Sequence, residues 1–454
     1  MRLAIPLSLR KEWGFEVRKI FMKLYLGIDF GTSGARAVVI NTTGDIQVEA
    51  QYPFETSVVG TGTAASWQTA LFALIEQIPQ ELRWEIHVIA INGTSSTVLL
   101  CDATGQPLDE PLMYNDSRGV AVMAKLNVIA PPNHTVLSAT SSLAKLLWWQ
   151  DHRASNNECQ SCYFLHQADW LAFLLHGQLG ISDYHNALKL GYDPEKLCYP
   201  SWLEQLAVTP KLPQVLAPGT PVGEVIPAIA HRLGLRQDCL VCTGTTDSIA
   251  AFLASGAQLP GEAVTSLGST LVLKLLSRTR VDDARYGIYS HRLGDLWLTG
   301  GASNTGGAVL RHFFSDSELE SMSSQIEAGK ESPLDYYPLL KVGDRFPIND
   351  PYLPPRLEPR PDNPVEFLHG LLESIARIEA RGYQLLQQLG ATQLTRVYTA
   401  GGGAKNSAWT TIRERHLGVP ILPPTHTAAA YGTALLAINS RDAGLDGTRG
   451  LGRL

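Results

Sequence analysis

Apolar and polar positions change rhythm along the chain. Runs with a strand-like pattern, Leu24 to Asp29, Ala35 to Asn41 and Ile46 to Tyr52, are joined by short turns. They lead into a helical pattern from about Trp67 to Ile78 and then a buried strand, "HVIAING". Strands that feed helices through short glycine turns predict a layered α/β fold. A mainly helical stretch follows, in which "SSLAKLLWWQDH" and "QADWLAFLLHG" repeat apolar residues every three or four positions, the pattern of helices packed on a sheet. From Asp238 the chain reads as a strand, "CLVCTG", and a helix, "DSIAAFLASG".

The segment "EAVTSLGSTLVLKLLS", Glu262 to Ser277, reads as strand, small-residue turn, strand. It echoes "YLGIDFGTSGARAVVI", Tyr25 to Ile40, and predicts a duplicated hairpin at the head of each half. The boundary falls near Ala254 to Gly261. A proline-rich loop, "FPINDPYLPPRLEPRPDNP", precedes a long helix over Val365 to Leu389. The strand and glycine turn of "RVYTAGGGAKNSAW" come next, and a last helix starts near Ala428.

The length of 454 residues and an apolar share of 44% suit two ordinary domains and exclude a single small module. Net charge is −6, and the Lys and Arg residues are scattered, so the expected partners are small molecules and not nucleic acid. No apolar run approaches the roughly 18 residues of a spanning helix, so no membrane partner is expected and the expected location is the cytoplasm. The opening "MRLAIPLSLRKEWGFEVRKIF" lacks a cleavage site and ends its apolar run in Arg10-Lys11-Glu12. Because Met22 directly precedes the first strand, residues 1–21 read as a disordered extension outside the fold or a mis-assigned start, with an ordered helix packed on the surface as the alternative. Cys159-x-x-Cys162 and Cys239-x-x-Cys242 offer four thiols. However, "CLVC" reads as a strand, where residues three apart face opposite sides and cannot close on one metal. Buried, reduced cysteines are expected.

Two glycine hairpins facing one cleft would present N–H groups to a polyphosphate from both sides. In the first, Gly31 and Gly34 allow the turn, Thr32 and Ser33 bring hydroxyls, and Asp29 places a carboxylate where a Mg²⁺–phosphate unit would sit. An ordinary hairpin with a satisfied Asp is the alternative. Asp247, at a strand–helix junction, is either an N-cap or a general base aimed into the cleft, and both can hold. The three glycines of "TAGGGAKNSAW" would let backbone approach a flat ligand, with Asn406 bonding it and Trp409 covering it, unless the segment is a linker. Thr94, Ser95 and Ser96 lie at the mouth of a strand and suit a polyol, or form a Ser/Thr turn. No GxxxxGK[ST] occurs, so a P-loop is unavailable.

Taken together these segments resemble the FGGY carbohydrate kinases of the actin-like ATPase superfamily, from Tyr25 to Ala437. "GIDFGTSGARAVVINTTGDI" is similar to the first phosphate hairpin, "NGTSSTVLLCDATGQPL" to the sugar-side strand and turn, "GTTDSIAAFLASGA" to the catalytic-aspartate motif, "TSLGSTLVL" to the second phosphate turn and "AGGGAKNSAW" to the adenosine motif. The resemblance implies an α/β fold of two actin-like, ribonuclease H-like domains with a ligand cleft between them. These would be residues 22–254 on the sugar side and 255–454 on the nucleotide side, with the last helix packing back on the first domain. It implies ATP and Mg²⁺ as cofactors and a kinase acting as a monomer or homodimer. Asp247 would be the catalytic base. Asp29 would hold Mg²⁺ directly or through a water, and Ser95 would contact the sugar beside Asp29 and Asp247. Gly31, Thr32, Ser33, Gly268, Ser269 and Thr270 would face phosphates, and Gly402, Gly403 and Asn406 the adenosine. Where xylulokinases and glycerol kinases place a Gln and large polar residues, this chain has Thr94-Ser95-Ser96-Thr97, and "MYNDSR" replaces a Trp-x-Asp-x-Arg segment. The short loops resemble the cyanobacterial and plastid D-ribulose kinases, which makes D-ribulose the implied acceptor and D-xylulose, L-ribulose or a polyol the alternatives. A nucleotide-switched binding protein without kinase activity is the reading from another class.

Overall fold

The computed structural model describes residues 23–54, 63–153, 162–206 and 212–440; segment 1–21 and Cys159 lie outside them. Strands β1 (Leu24–Phe30), β2 (Gly34–Ile40) and β3 (Ile46–Pro53) form an antiparallel meander. Helices α1 (Ala64–Gln77) and α2 (Gln80–Arg83) carry the chain to β4 (Ile86–Gly93), which runs parallel to β1. Two ribbons then interrupt the sheet. β5 (Val98–Cys101) pairs with β6 (Tyr163–His166) across α3 (Met123–Ile129) and α4 (Ser142–Arg153). After α5 (Gln167–His176), β7 (Ile181–Asp183) pairs with β8 (Gln214–Leu216). The chain rejoins the sheet through β9 (Pro221–Glu224), α6 (Pro227–Leu233), β10 (Leu240–Cys242), β11 (Thr245–Thr246) and α7 (Asp247–Ala254). The strand order is β3-β2-β1-β4-β10-β9, with β11 on the end of β4. Cys239 and Cys242 are buried, and burial pushes the Cys242 thiol up to about 12, far from a reactive thiolate.

The second half repeats the plan with β12 (Glu262–Leu267), β13 (Leu271–Ser277), β14 (Tyr289–Leu293), β15 (Leu296–Ser303), α8 (Gly307–Phe313), α9 (Asp316–Ser323), α10 (Pro364–Gln388), β16 (Arg396–Ala400), α11 (Ser407–Leu417), β17 (Ile421–Leu422) and α12 (Ala429–Asn439). Its order is β14-β15-β13-β12-β16-β17. The path β3-β2-β1-β4-β10 has the same strand directions as β15-β13-β12-β16-β17, so the duplicated hairpins belong to two copies of one topology.

The two sheets meet in a core shared with helices α7 and α12. One core lies between the first sheet and α1, α5 and α6, and another between the second sheet and α10 and α11. A third core joins the halves, with Tyr25, Val88, Phe252, Val264, Leu276, Ala430 and Leu436 in one cluster. Helix α12 is late in sequence yet packs on β1 and α7 of the first half. A Cβ on Gly27 would lie 2.1 Å from the Ala430 carbonyl oxygen, and one on Gly432 would lie 1.9 Å from that of Ala250. Bare glycine backbone is what permits this approach. Under the second sheet, Arg413 and Glu379, both fully buried, form a two-armed ion pair at 2.6 and 2.7 Å. Thr399 and Thr265 satisfy further polar atoms of this pair, as a buried ion pair requires.

Candidate active site

Parallel strands β1, β4 and β11 end at one edge, the position where open α/β sheets gather ligands. The register aligns Asp29 with Asn92, and Asn92 with Thr245, which stands two residues before Asp247. A cavity of about 560 Å³ opens there, lined by Asp29, Gly31, Thr32, Ser33, Asp247 and Thr94 among others. Gly31 N–H is taken by the Gly34 carbonyl at 3.0 Å, so the exposed tip residues Thr32 and Ser33 supply the free donors of this hairpin. A Cβ on Gly34 would meet Tyr52 O at 2.7 Å, which fixes glycine at that position.

The two carboxylates differ in surroundings. Burial raises Asp29 to about 6, helped by the like charge of Asp247, while Arg36 and Asn92 pull it down. One Asp29 oxygen, Oδ1, is buried with no hydrogen-bond partner. Asp247 is the first residue of α7, and its Oδ1 accepts from Ser248 N–H at 2.7 Å. The N-cap of α7 is Thr246, which corrects the N-cap reading of Asp247: from the first helical position it satisfies a free amide of the first turn, and it lines the cavity. Burial raises its pKa. The backbone amide of Ser248, the ammonium groups of Lys274 and Lys189 and the backbone of Ser95 counter that rise.

Ser95 is half-buried beside Asp247, in a turn where Ser96 adopts a positive φ of 65°. Thr94 is committed elsewhere: its N–H donates to Gln167 Oε1 at 3.0 Å, and its hydroxyl faces that of Thr97. The turn is held from below by Lys145, a fully buried residue whose ammonium donates to the carbonyls of Ser96 at 2.7 Å and Met113 at 2.6 Å. Tyr114 and Asn115 are exposed. The sequence reading missed Lys145, although a lysine between Ala144 and Leu146 on an otherwise apolar helix face was a visible signal.

Gly268, Ser269, Thr270, Gly402, Gly403 and Asn406 do not line this cavity. They form a second group at the carboxyl ends of β12 and β16, two parallel neighbours. Gly307 N–H and Ala308 N–H bind the carbonyls of Gly268 and Ser269 at 2.8 and 3.1 Å, and Arg311 donates to the Ser269 hydroxyl at 3.2 Å. A Cβ on Gly401 would touch Leu267 O at 2.6 Å, so the glycine turn and the second hairpin are in direct contact. Gly402 is exposed with open space around it. Asn406 caps α11 by accepting from Trp409 N–H at 2.9 Å, and its amide donates to Ser323 at 2.8 Å. One expectation is corrected: Trp409 is 1% exposed and packs in the second core, so its ring does not cover a ligand. The indole belongs to the apolar stripe of α11 with Ile412.

Comparison with known proteins agrees with this architecture. The chain is 24% identical to the xylulose kinase of Bacillus subtilis over 92% of its length and 88% of that protein. It is 27% identical to the xylulose kinase of Streptomyces coelicolor over 91% of its length and 87% of that protein. A solved structure of a xylulose kinase from Brucella ovis superposes with a TM-score of 0.80 at 23% identity, covering 93% of this chain and 91% of the other. A gluconate kinase structure from Lactobacillus acidophilus gives 0.80 at 17% identity, covering 94% and 90%. Residues 24–254 match the N-terminal domain of the FGGY family of carbohydrate kinases and residues 263–440 its C-terminal domain. The chain, with its two actin-like α/β domains, belongs to the FGGY family of carbohydrate kinases.

Proposed function

We propose that the protein transfers the γ-phosphoryl group of ATP to a hydroxyl of a ketopentose, with Asp247 as the general base. The observation that carries this reading is the pairing of two unlike carboxylates, Asp29 and Asp247, in one cavity with the Thr32–Ser33 tip. Asp247 lies on a rigid helix start and takes the proton of the attacking hydroxyl, while Ser95 fixes the sugar beside it. A carboxylate is sufficient because proton removal is late in a loose phosphoryl-transfer transition state.

The residues present suit Mg²⁺ and ATP. The buried, unpartnered Oδ1 of Asp29 is an oxygen suited to a hard cation or its bound water. Thr32 and Ser33 on one side and Gly268, Ser269 and Thr270 on the other offer donors to phosphate, and the turn Gly402–Gly403–Asn406, open at Gly402, offers backbone to the adenosine. Bound there, the metal supplies charge neutralisation on the phosphate oxygens.

The names of the relatives support D-xylulose as the acceptor. D-ribulose is the second reading, favoured by the short Thr94-Ser95-Ser96 turn, which is unlike the bulkier sugar-side segment of xylulokinases. The test is turnover with D-xylulose, D-ribulose, L-ribulose, glycerol and gluconate, with the phosphorylated product identified by mass spectrometry. A hydroxyl-by-hydroxyl preference should appear in kcat/KM. Wild-type kcat in Asp247→Ala would refute the base assignment, and ATP binding without any phosphosugar would favour a nucleotide-switched binding protein.

A further inference from the structure

Lys274 lies on β13, the strand that follows the second hairpin, and so belongs to the second domain. Its ammonium crosses to the first domain and donates to Ser248 twice, to the carbonyl oxygen and to the hydroxyl, each at 3.0 Å. Ser248 follows Asp247 in the first turn of α7. A second cross-domain tie is nearby. The buried His185 bonds Thr245 Oγ1 at 2.7 Å through Nδ1 and the Arg292 carbonyl on β14 at 2.5 Å through Nε2. The segment Thr245–Ser248 is thus tied to the second domain directly at Ser248 and, through the first-domain His185, indirectly at Thr245, with Asp247 between the two ties.

We infer that Lys274 is a positioning residue that couples domain closure to the set of the Asp247 carboxylate, so the base is aligned only when the second domain is in place. The inference rests on the reading of Asp247 as the base. The Ser248–Asp247 hydrogen bond is the link: holding the Ser248 carbonyl and hydroxyl fixes the residue whose N–H orients Asp247 Oδ1. Positioning of this kind contributes to kcat and not to ground-state binding of ATP.

The charge on Lys274 offers a readout that a packing role would not move. Burial lowers its pKa to about 8; Asp247 opposes the fall and Lys189 adds to it. The other titratable groups facing it are His291 on β14 and His185, both held neutral by burial. Above that pH a neutral amine replaces the ammonium, so the bonds to the Ser248 carbonyl and hydroxyl lose their charge assistance and the grip weakens.

The experiment compares wild type, Lys274→Met, Lys274→Arg and Asp247→Asn. Turnover is read as ADP release with ATP and each of the five acceptors named above, from pH 6 to 10. Exchange of the amides of residues 248–251 is read in the ligand-free full chain. Lys274→Met is expected to lose roughly 30-fold in kcat with KM for ATP changed less than about twofold, and to speed exchange in the first turn of α7. Lys274→Arg is expected to restore most of kcat and to remove the alkaline fall near pH 8. Unchanged exchange in Lys274→Met overturns the inference even if no acceptor is turned over. So does unchanged kcat, or an alkaline limb that persists in Lys274→Arg. Turnover by Asp247→Asn at the wild-type rate overturns the reading of the base itself and is a separate failure.

Discussion

The ammonium of Lys145 lies 2.7 Å from the carbonyl oxygen of Ser96, so helix α4 of the first domain holds the turn that carries Ser95. Burial lowers this lysine to about 7, with Asp116 opposing the fall. An amine in either protonation state still donates to two carbonyls. Replacing it removes both bonds and leaves the Ser96 carbonyl without its partner, while Met113 O keeps the Asp116 N–H.

Lys145→Met should therefore raise KM for the accepted sugar about tenfold, the equivalent of roughly one or two lost hydrogen bonds, while KM for ATP stays within about twofold. Steady-state kinetics with each substrate varied in turn checks the split. Equal rises in both constants would point to global damage instead.

Asp29 makes a prediction about stability against function. Its folded pKa of about 6 exceeds the ordinary aspartate value of 3.8. Between those values the folded state holds more protons than the unfolded chain, so stability falls as pH rises through that window and stays reduced above it. Asp29→Asn removes the ionisation, and should stabilise the ligand-free protein at pH 8 by about 1–3 kcal/mol while lowering kcat at least about 100-fold. Urea melts at pH 4 and pH 8 test the first half: the gain should shrink at pH 4.

Arg413 and Glu379 predict a purely structural effect. Arg413→Ala leaves the Glu379 carboxylate buried without its partner, which costs about 3–5 kcal/mol. Chemical denaturation should show that loss, and the double replacement Arg413→Met with Glu379→Leu should recover most of it. Since neither residue lines the cavity, kcat of the folded fraction should stay within about twofold of wild type.

Gly432→Ala tests the fit between the last helix and α7. A methyl group 1.9 Å from Ala250 O must push the helices apart, and overpacking of this kind costs about 1–3 kcal/mol or more. Because α7 begins with Asp247, the variant should lose kcat as well as thermal stability, whereas Arg413→Ala loses stability alone.

Much of the architecture was legible in the sequence because its strands and helices keep clear periods. The hairpins at Tyr25–Ile40 and Glu262–Ser277, the helix ending near Leu389 and the helix opening near Ala428 all stand within a residue or two of where periodicity puts them. The ribbons β5–β6 and β7–β8 were not visible, since strands of three or four residues are too short to show a period. β14 and β15 escaped for another reason. "YSHRLGDLWLTGGAS" mixes His, Arg and three glycines into a pairing whose partner strand, β13, is distant in sequence. At the site, Asp29 and Asp247 stood out as acids beside small residues. Lys274 and His185 did not, because their partners lie far away in sequence and are in part backbone carbonyls, which leave no mark on residue identity. Trp409 was misread because one helical turn after a glycine loop fits a ligand cover and a core residue equally well.

The placement of α12 against β1 and α7 has a bearing on synthesis. A ribosome releases the first domain long before residues 429–439 exist, so the faces of β1 and α7 around Gly27 and Ala250 emerge uncovered and wait for the end of the chain. The helix made last completes the domain made first. A nascent chain stalled before residue 429 would hold Asp29 and Asp247 on elements still lacking their cover. The edge that carries Asp29 and Asp247 is thus complete only once both halves have been made.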